Sequence, residues 1–160
     1  AFKDKGYRLV VVTNQAGVAR GYYTEDDVKE LHRYMNELLA GQGVKIDAFY
    51  YCPHHPHKGY EGEIPELKFD CDCRKPKPGM FEMAEQDFAV DKASSWMIGD
   101  KLIDMEAGRN YGVRTVLVGT GYGAGVHEEQ KKKGDFPYDL YADDLLEAYN
   151  EINRETAGNL

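Results

Sequence analysis

The chain has 160 residues, 42% apolar and 30% charged, with a formal net charge of -8. That length has room for one domain with a substantial core, and the acidic balance argues against non-specific binding to nucleic acid or to an anionic membrane. No apolar run approaches the roughly 20 residues of a membrane-spanning helix, and no signal-peptide pattern is present. All three cysteines fall between positions 52 and 73, beside histidines. Such clustering points to a metal site rather than to disulfides, and so to a reducing compartment. The expectation is a single domain over 1–160, cytoplasmic and monomeric.

In chain order, Tyr7-Arg8-Leu9-Val10-Val11-Val12 is a short β-branched run, the pattern of a strand buried on both faces. It stops at Thr13-Asn14-Gln15-Ala16-Gly17, small and polar. In open parallel α/β sheets the carboxyl end of a strand is where ligands bind, although an ordinary strand-to-helix turn would read the same way. Thr24-Glu25-Asp26-Asp27 starts a helix with a threonine cap and acids in the first turn. Val28, Leu31, Met35, Leu38 and Leu39 are expected to form its packing face, with Gly41 and Gly43 closing it. Ile46 to Tyr51 reads as the next strand.

From Cys52 to Arg74 the chain has little periodicity and few aliphatic residues. A loop this long inside a compact domain needs something to hold it. A tetrahedral zinc site of Cys52, His54, Cys71 and Cys73 would do so, with His55 and His57 competing for the histidine position. Directly after it come Arg74 and Lys75, cations suited to a phosphate or carboxylate.

Met80 to Phe88 suits a helix with Met80, Met83, Ala84 and Phe88 inward. Ser95 to Ile98 is a short strand ending in Gly99-Asp100-Lys101, with Asp104 following. A carboxylate there beside a lysine suits Mg2+ with a phosphate oxygen nearby, while either acid could equally cap the next helix. Ile103 to Tyr111 continues as a helix closed by Gly112. Arg114 to Val118 is another strand, followed by Gly119, Gly121, Gly123 and Gly125. Lys131-Lys132-Lys133 reads as a solvated face. Tyr138 to Ala142 is a candidate edge strand, and Asp143 to Ile152 a closing helix with Leu145, Leu146, Tyr149 and Ile152 inward. Residues 154–160 are expected to fray. Strands alternating with helices imply an α/β, doubly wound, mostly parallel sheet of Rossmann-like type.

Val11-Val12-Thr13-Asn14-Gln15, Cys73-Arg74-Lys75-Pro76-Lys77-Pro78-Gly79-Met80 and Met97-Ile98-Gly99-Asp100-Lys101-Leu102-Ile103-Asp104-Met105 together resemble the second, third and fourth motifs of the haloacid dehalogenase superfamily of phosphohydrolases. The Tyr50-Tyr51-Cys52-Pro53-His54-His55 segment with Cys71 and Cys73 is similar to heptose-bisphosphate and histidinol-phosphate phosphatases. The resemblance runs from about Gly6 onward, and its most specific part is the 52–74 zinc loop joined to the third motif. It implies Thr13 and Lys75 as catalytic residues on the transferring phosphoryl group. Asn14, Gln15, Ala16, Arg74 and Lys101 would contact a sugar phosphate, Asp100 would bind catalytic Mg2+, and Asp104 is a secondary candidate. Zn2+ on Cys52, His54, Cys71 and Cys73 would be structural. Heptose 1,7-bisphosphate, on the way to lipopolysaccharide or surface-layer heptose, is the expected substrate. Histidinol phosphate is the rival; a non-catalytic zinc-stabilised phosphate-ligand binding protein and a thiol redox protein are readings of other classes.

The superfamily's nucleophile and its acid–base partner lie in an Asp-x-Asp-Gly-Thr type motif after a central first strand, and no such motif occurs in these residues. Without that carboxylate no aspartyl-phosphate can form. The expectation is therefore an upstream segment carrying the first central strand, a chain inactive without it, and either a slot between the strands at 8–12 and 96–99 or their direct pairing.

Overall fold

A computed structural model of the chain describes residues 1–158. These form two compact units: residues 2–75 with 79–88, and the chain from Ala89 onward with Ala1 and 76–78. The first unit contains β1 (Val10–Asn14), α1 (Ala16–Ala19), α2 (Glu25–Ala40), β2 (Ala48–Cys52) and α3 (Gly79–Asp87). The second contains β3 (Trp96–Gly99), α4 (Leu102–Tyr111), β4 (Arg114–Val118), α5 (Gly123–Lys133), β5 (Leu140–Ala142) and α6 (Leu145–Gly158). Every ladder is parallel, as the strand–helix alternation implies, but the ladders form two sheets, β1–β2 and β3–β4–β5. Among the described residues no helix is long and apolar enough to cross a membrane.

In the first unit, β1 extends through Thr13 and Asn14, which the sequence reading placed in a loop. Asn14 pairs in register with Cys52 of β2. All five β1 residues are half-buried rather than buried on both faces; among the described residues β1 has a ladder partner along one edge only. Helix α2 starts as its sequence dictates: Thr24 Oγ1 accepts from the Asp27 N–H at 3.1 Å, and the Asp27 carboxylate accepts from the Thr24 N–H at 2.7 Å. The Thr24 N–H and the Thr24 hydroxyl, which donates to the same carboxylate at 2.8 Å, hold the Asp27 carboxyl below its ordinary range.

The face that α2 buries differs from the expected one. Val28 and His32 are buried, whereas Leu31 and Leu38 are 52% and 60% exposed. The His32 ring stacks on Phe49 of β2, with centroids 4.4 Å apart and planes 14° from parallel. That contact turns the 28–32 line toward the sheet. Leu31 lies one residue, about 100°, away from it. Against the other side of this sheet, Met80, Phe81 and Ala84 of α3 are buried while Met83 is exposed. Met80 and Ala84 join Tyr50, Cys52 and Cys71 in one core cluster. Burial, with Asp87 accepting from the phenol, pushes Tyr50 up to about 12.

In the second unit, β4 is the central strand, and its Val116 and Leu117 are fully buried. Met105 of α4 and Tyr138 pack on Leu117. Helix α4 ends where Gly112 takes a φ of +95°, which donates its N–H back to Gly108 and Arg109. Helix α5 is not legible in the sequence, because its glycines and its lack of an apolar period mask it. Its Lys131 and Lys133 do face solvent, paired with Glu128 and Glu129. Asp144 caps α6 by accepting from Leu146 N and Glu147 N at 2.8 and 2.9 Å. This puts Leu145 and Leu146 in an exposed first turn, 59% and 63% accessible, while Ile152 is buried as expected, Ala148 is buried beside it and Tyr149 is half-buried. The expected fraying from 154 is not seen: α6 continues to Gly158, with Thr156 Oγ1 donating to the Ile152 carbonyl at 2.8 Å. Asn159 and Leu160 lie outside the described residues.

Candidate active site

The candidate residues fall into two groups, one in each unit. In the first unit they gather at the carboxyl ends of β1 and β2. Thr13 and Asn14 end β1, Gln15 precedes α1 and Ala16 opens it. The Gln15 N–H continues the ladder by donating to the Cys52 carbonyl at 2.8 Å, and Ala19 N donates to Pro53 O at 3.1 Å. The loop after β1 is thereby tied to the start of the cysteine–histidine loop. Gln15 Nε2 donates to Thr13 Oγ1 at 3.2 Å, and its Oε1 accepts from the Tyr23 hydroxyl at 2.7 Å. With Gln15 as donor, the Thr13 hydroxyl proton is directed to another acceptor. Tyr23 has no signature that sequence reading could have used.

Lys75 is 8% exposed. Its ammonium donates to the Val12 carbonyl at 2.8 Å, which keeps the charge beside the end of β1. Asn14 holds the Lys75 main chain with both halves of its amide: Oδ1 accepts from Lys75 N at 3.0 Å and Nδ2 donates to Lys75 O at 3.2 Å. Arg74 donates to the His54 carbonyl at 3.3 Å.

Cys52, His54, Cys71 and Cys73 converge, their ligand atoms all within 4.8 Å of one another. The nearest approaches are Cys52 Sγ–Cys71 Sγ and Cys71 Sγ–Cys73 Sγ at 3.4 Å, His54 Nδ1–Cys73 Sγ at 3.3 Å and Cys52 Sγ–His54 Nδ1 at 3.6 Å. A tetrahedron with 2.3 Å metal–sulfur bonds has edges of about 3.8 Å, so the set fits Zn2+. Burial pushes the thiols of Cys52 and Cys73 up and the His54 imidazole down, toward neutral forms. A dication reverses that preference for the thiols. Of the competing histidines, His57 is exposed and His55 is engaged elsewhere. His55 is buried, with Arg20 at 2.9 Å from its Nε2 and the His57 carbonyl 3.1 Å from its Nδ1.

A second cluster, unread in the sequence, holds the far part of this loop against α1. The Lys68 side chain is fully buried, 3.4 Å from Glu63 and 4.6 Å over the Tyr60 ring, and Arg20 lies over the same ring at 4.7 Å. Ile64 N donates to Ala19 O at 3.0 Å. Gly21, with a φ of +75°, passes so close that a Cβ there would sit 1.9 Å from the Gly62 carbonyl. Only glycine fits that approach.

In the second unit, Asp100 and Lys101 follow β3. Asp100 Oδ2 accepts from the Tyr122 N–H at 3.0 Å, and Lys101 lies 4.4 Å over the Tyr122 ring. Gly121 has a φ of +68°, and a Cβ on it would come within 2.3 Å of Asp100 Oδ2. The glycine run after β4 thus cradles the Asp100 carboxylate, a hard oxygen donor of the kind Mg2+ takes. Asp104 is buried and accepts from Lys101 N at 3.2 Å, as a residue capping α4 does. Gly99 makes room for it, since a Cβ there would lie 2.5 Å from the Asp104 Cβ.

A HAD-hydrolase-like family model matches residues 72–148. Curated heptose-1,7-bisphosphate 7-phosphatases match over more of the chain. That of Pasteurella multocida is 45% identical over 142 residues, 88% of this chain and 73% of its own length. The Chlorobaculum tepidum protein is 44% identical over 151 residues, 91% of this chain and 72% of its own. The chain belongs to the heptose-bisphosphate phosphatase family of haloacid dehalogenase-like hydrolases. A solved member of this family, the D,D-heptose 1,7-bisphosphate phosphatase of B. bronchiseptica complexed with magnesium and phosphate, superposes with a TM-score of 0.77 at 30% identity, over 96% of this chain and 78% of its own. The family assignment agrees with the resemblance carried by the Thr13, Arg74–Lys75 and Gly99–Asp100 motifs.

Proposed function

We propose that this chain acts as a magnesium-dependent phosphomonoesterase that removes the 7-phosphate of D-glycero-D-manno-heptose 1,7-bisphosphate. The observation that carries the reading is the end of β1. There a buried Lys75 ammonium donates to the carbonyl of Val12, the residue before Thr13, in a chain 45% identical to a named heptose-bisphosphate 7-phosphatase. Phosphoryl transfer rests on positioning and charge neutralisation. Thr13 donates a hydrogen bond to a phosphoryl oxygen, Lys75 neutralises the charge that develops, and Arg74 and Lys101 recognise the remainder of the sugar phosphate. Gln15 orients Thr13, and Ala16 borders the site without a bulky side chain. Asp100 would hold Mg2+, which supplies electrostatic stabilisation to the transferring group. Cys52, His54, Cys71 and Cys73 would hold one structural Zn2+, since four protein ligands leave no open position. Thiols kept reduced for this purpose suit the cytoplasm.

The test is phosphate release by the full-length protein with Mg2+, using heptose 1,7-bisphosphate and histidinol phosphate in parallel. Faster turnover of the heptose is expected. Preference for histidinol phosphate would move the substrate, and inactivity on every phosphomonoester would sink the enzyme reading. Metal analysis of the same sample is expected to give one zinc per chain, falling toward none in Cys71→Ser.

A further inference from the structure

Asn14 stands among residues that would line the substrate, yet both of its amide groups are already engaged. Its oxygen accepts from the Lys75 N–H at 3.0 Å and its nitrogen donates to the Lys75 carbonyl at 3.2 Å. The two bonds form a closed ring between one side chain and one residue's main chain, across 61 positions of sequence. Three further facts make the geometry of that ring stiff. Asn14 is the last residue of β1, paired in register with Cys52. Gln15 N continues the ladder onto Cys52 O at 2.8 Å. The Lys75 side chain then folds back along β1 to place its ammonium 2.8 Å from Val12 O.

We infer that Asn14 is a positioning residue for Lys75 and not a substrate ligand: it fixes the lysine's main chain to the end of β1, so that the ammonium is presented beside Thr13. Each half of the amide has a distinct task, since only a side chain with one acceptor and one donor in a plane can bond both the N–H and the C=O of the same residue. Aspartate keeps the acceptor but sets an oxygen against the Lys75 carbonyl. Alanine removes both bonds. The inference rests on the phosphatase reading, because an effect on Lys75 is visible in turnover only if Lys75 serves the phosphoryl group. A misplacement of about 1 Å at such a group can lower turnover on the order of a hundredfold.

The experiment is a double-mutant cycle on the full-length protein, with Asn14→Ala and Lys75→Met made singly and together and kcat and KM measured for heptose 1,7-bisphosphate. Methionine keeps the lysine's stem in its buried place while removing the charge. Asn14→Ala alone is expected to lower kcat about tenfold to a hundredfold with KM nearly unchanged. In the Lys75→Met background the same change should cost no more than about twofold further, the limit within which independent sites add. An equal fall in both backgrounds, as general destabilisation or direct substrate contact would give, overturns the inference, and so does a rise in KM without loss of kcat. Repeating the cycle with Asn14→Asp, which preserves side-chain shape, keeps the test decisive if the alanine variant folds poorly. A wild-type enzyme inactive on every phosphomonoester would instead refute the phosphatase reading.

Discussion

Small side chains and glycines decide much of what the functional groups can do. Gly121 combines a left-handed backbone with a Cβ direction aimed at Asp100 Oδ2. In the full-length enzyme, Gly121→Ala is expected to raise the Mg2+ concentration for half-maximal activity about tenfold to a hundredfold, the usual effect of disturbing a group that orients a metal ligand. An unchanged Mg2+ titration would show that Asp100 does not depend on this cradle. Asp47 gives a pH-dependent counterpart. Burial works to raise its carboxyl, but Lys3 Nζ at 2.9 Å and Leu9 N at 2.6 Å outweigh that and hold it below its ordinary value. A depressed folded value stabilises the fold above the unfolded pKa near 4 and loses that contribution as pH falls through the folded value. Urea unfolding of wild type and Asp47→Asn should therefore differ by about 1–3 kcal/mol at neutral pH and converge in acid.

At the scale of elements, the 52–74 loop has two anchors of different chemistry. One is the cysteine–histidine cluster. The other is Lys68 with Glu63, Tyr60 and Arg20. Glu63 also accepts from Gly59 N and Tyr60 N at 3.0 Å each, so it organises the turn as well as pairing the lysine. Glu63→Ala leaves a fully buried ammonium with the Tyr60 ring and His55 Nδ1 at 3.5 Å but without its carboxylate, and should destabilise the fold more than loss of the lysine does. Lys68→Met leaves a partly exposed carboxylate that keeps its two backbone donors, and should cost only about 1 kcal/mol. Equal losses in denaturant titrations would contradict this asymmetry. The sequence made the first anchor legible because thiols and imidazoles at close spacing have few other uses. It hid the second, since a lysine, a tyrosine and a glutamate in a polar loop look solvated. Periodicity likewise located α2 but chose Leu31 and Leu38 over His32, because hydropathy does not register a histidine stacked on Phe49.

For the whole molecule, the strand–helix alternation and the parallel pairing were readable from β-branched runs and their spacing. The motif residues at strand ends were also readable, since Thr13, Lys75 and Asp100 each sit where a strand or its loop delivers a polar group. Helix α5 and the half-buried state of β1 were not, because the first lacks an apolar period and the second depends on which edges find partners. Unequal burial predicts unequal protection. Amides of β4, where Val116 and Leu117 are fully buried, should exchange with solvent most slowly, and those of β1, half-buried at every position, considerably faster. Hydrogen exchange resolved by strand checks this, and equal protection in the two strands would count against it.

The Asn14–Lys75 ring has a neighbour at each end. Cys52 lies opposite Asn14 in the ladder, and Cys73 stands two residues before Lys75. With zinc as the occupant of the four-residue cluster, an ion that never meets the sugar would still brace both sides of the link that aims the lysine. Turnover would then follow the cell's supply of zinc as well as magnesium, and a phosphatase with no redox chemistry of its own would be silenced by oxidants that attack its thiols.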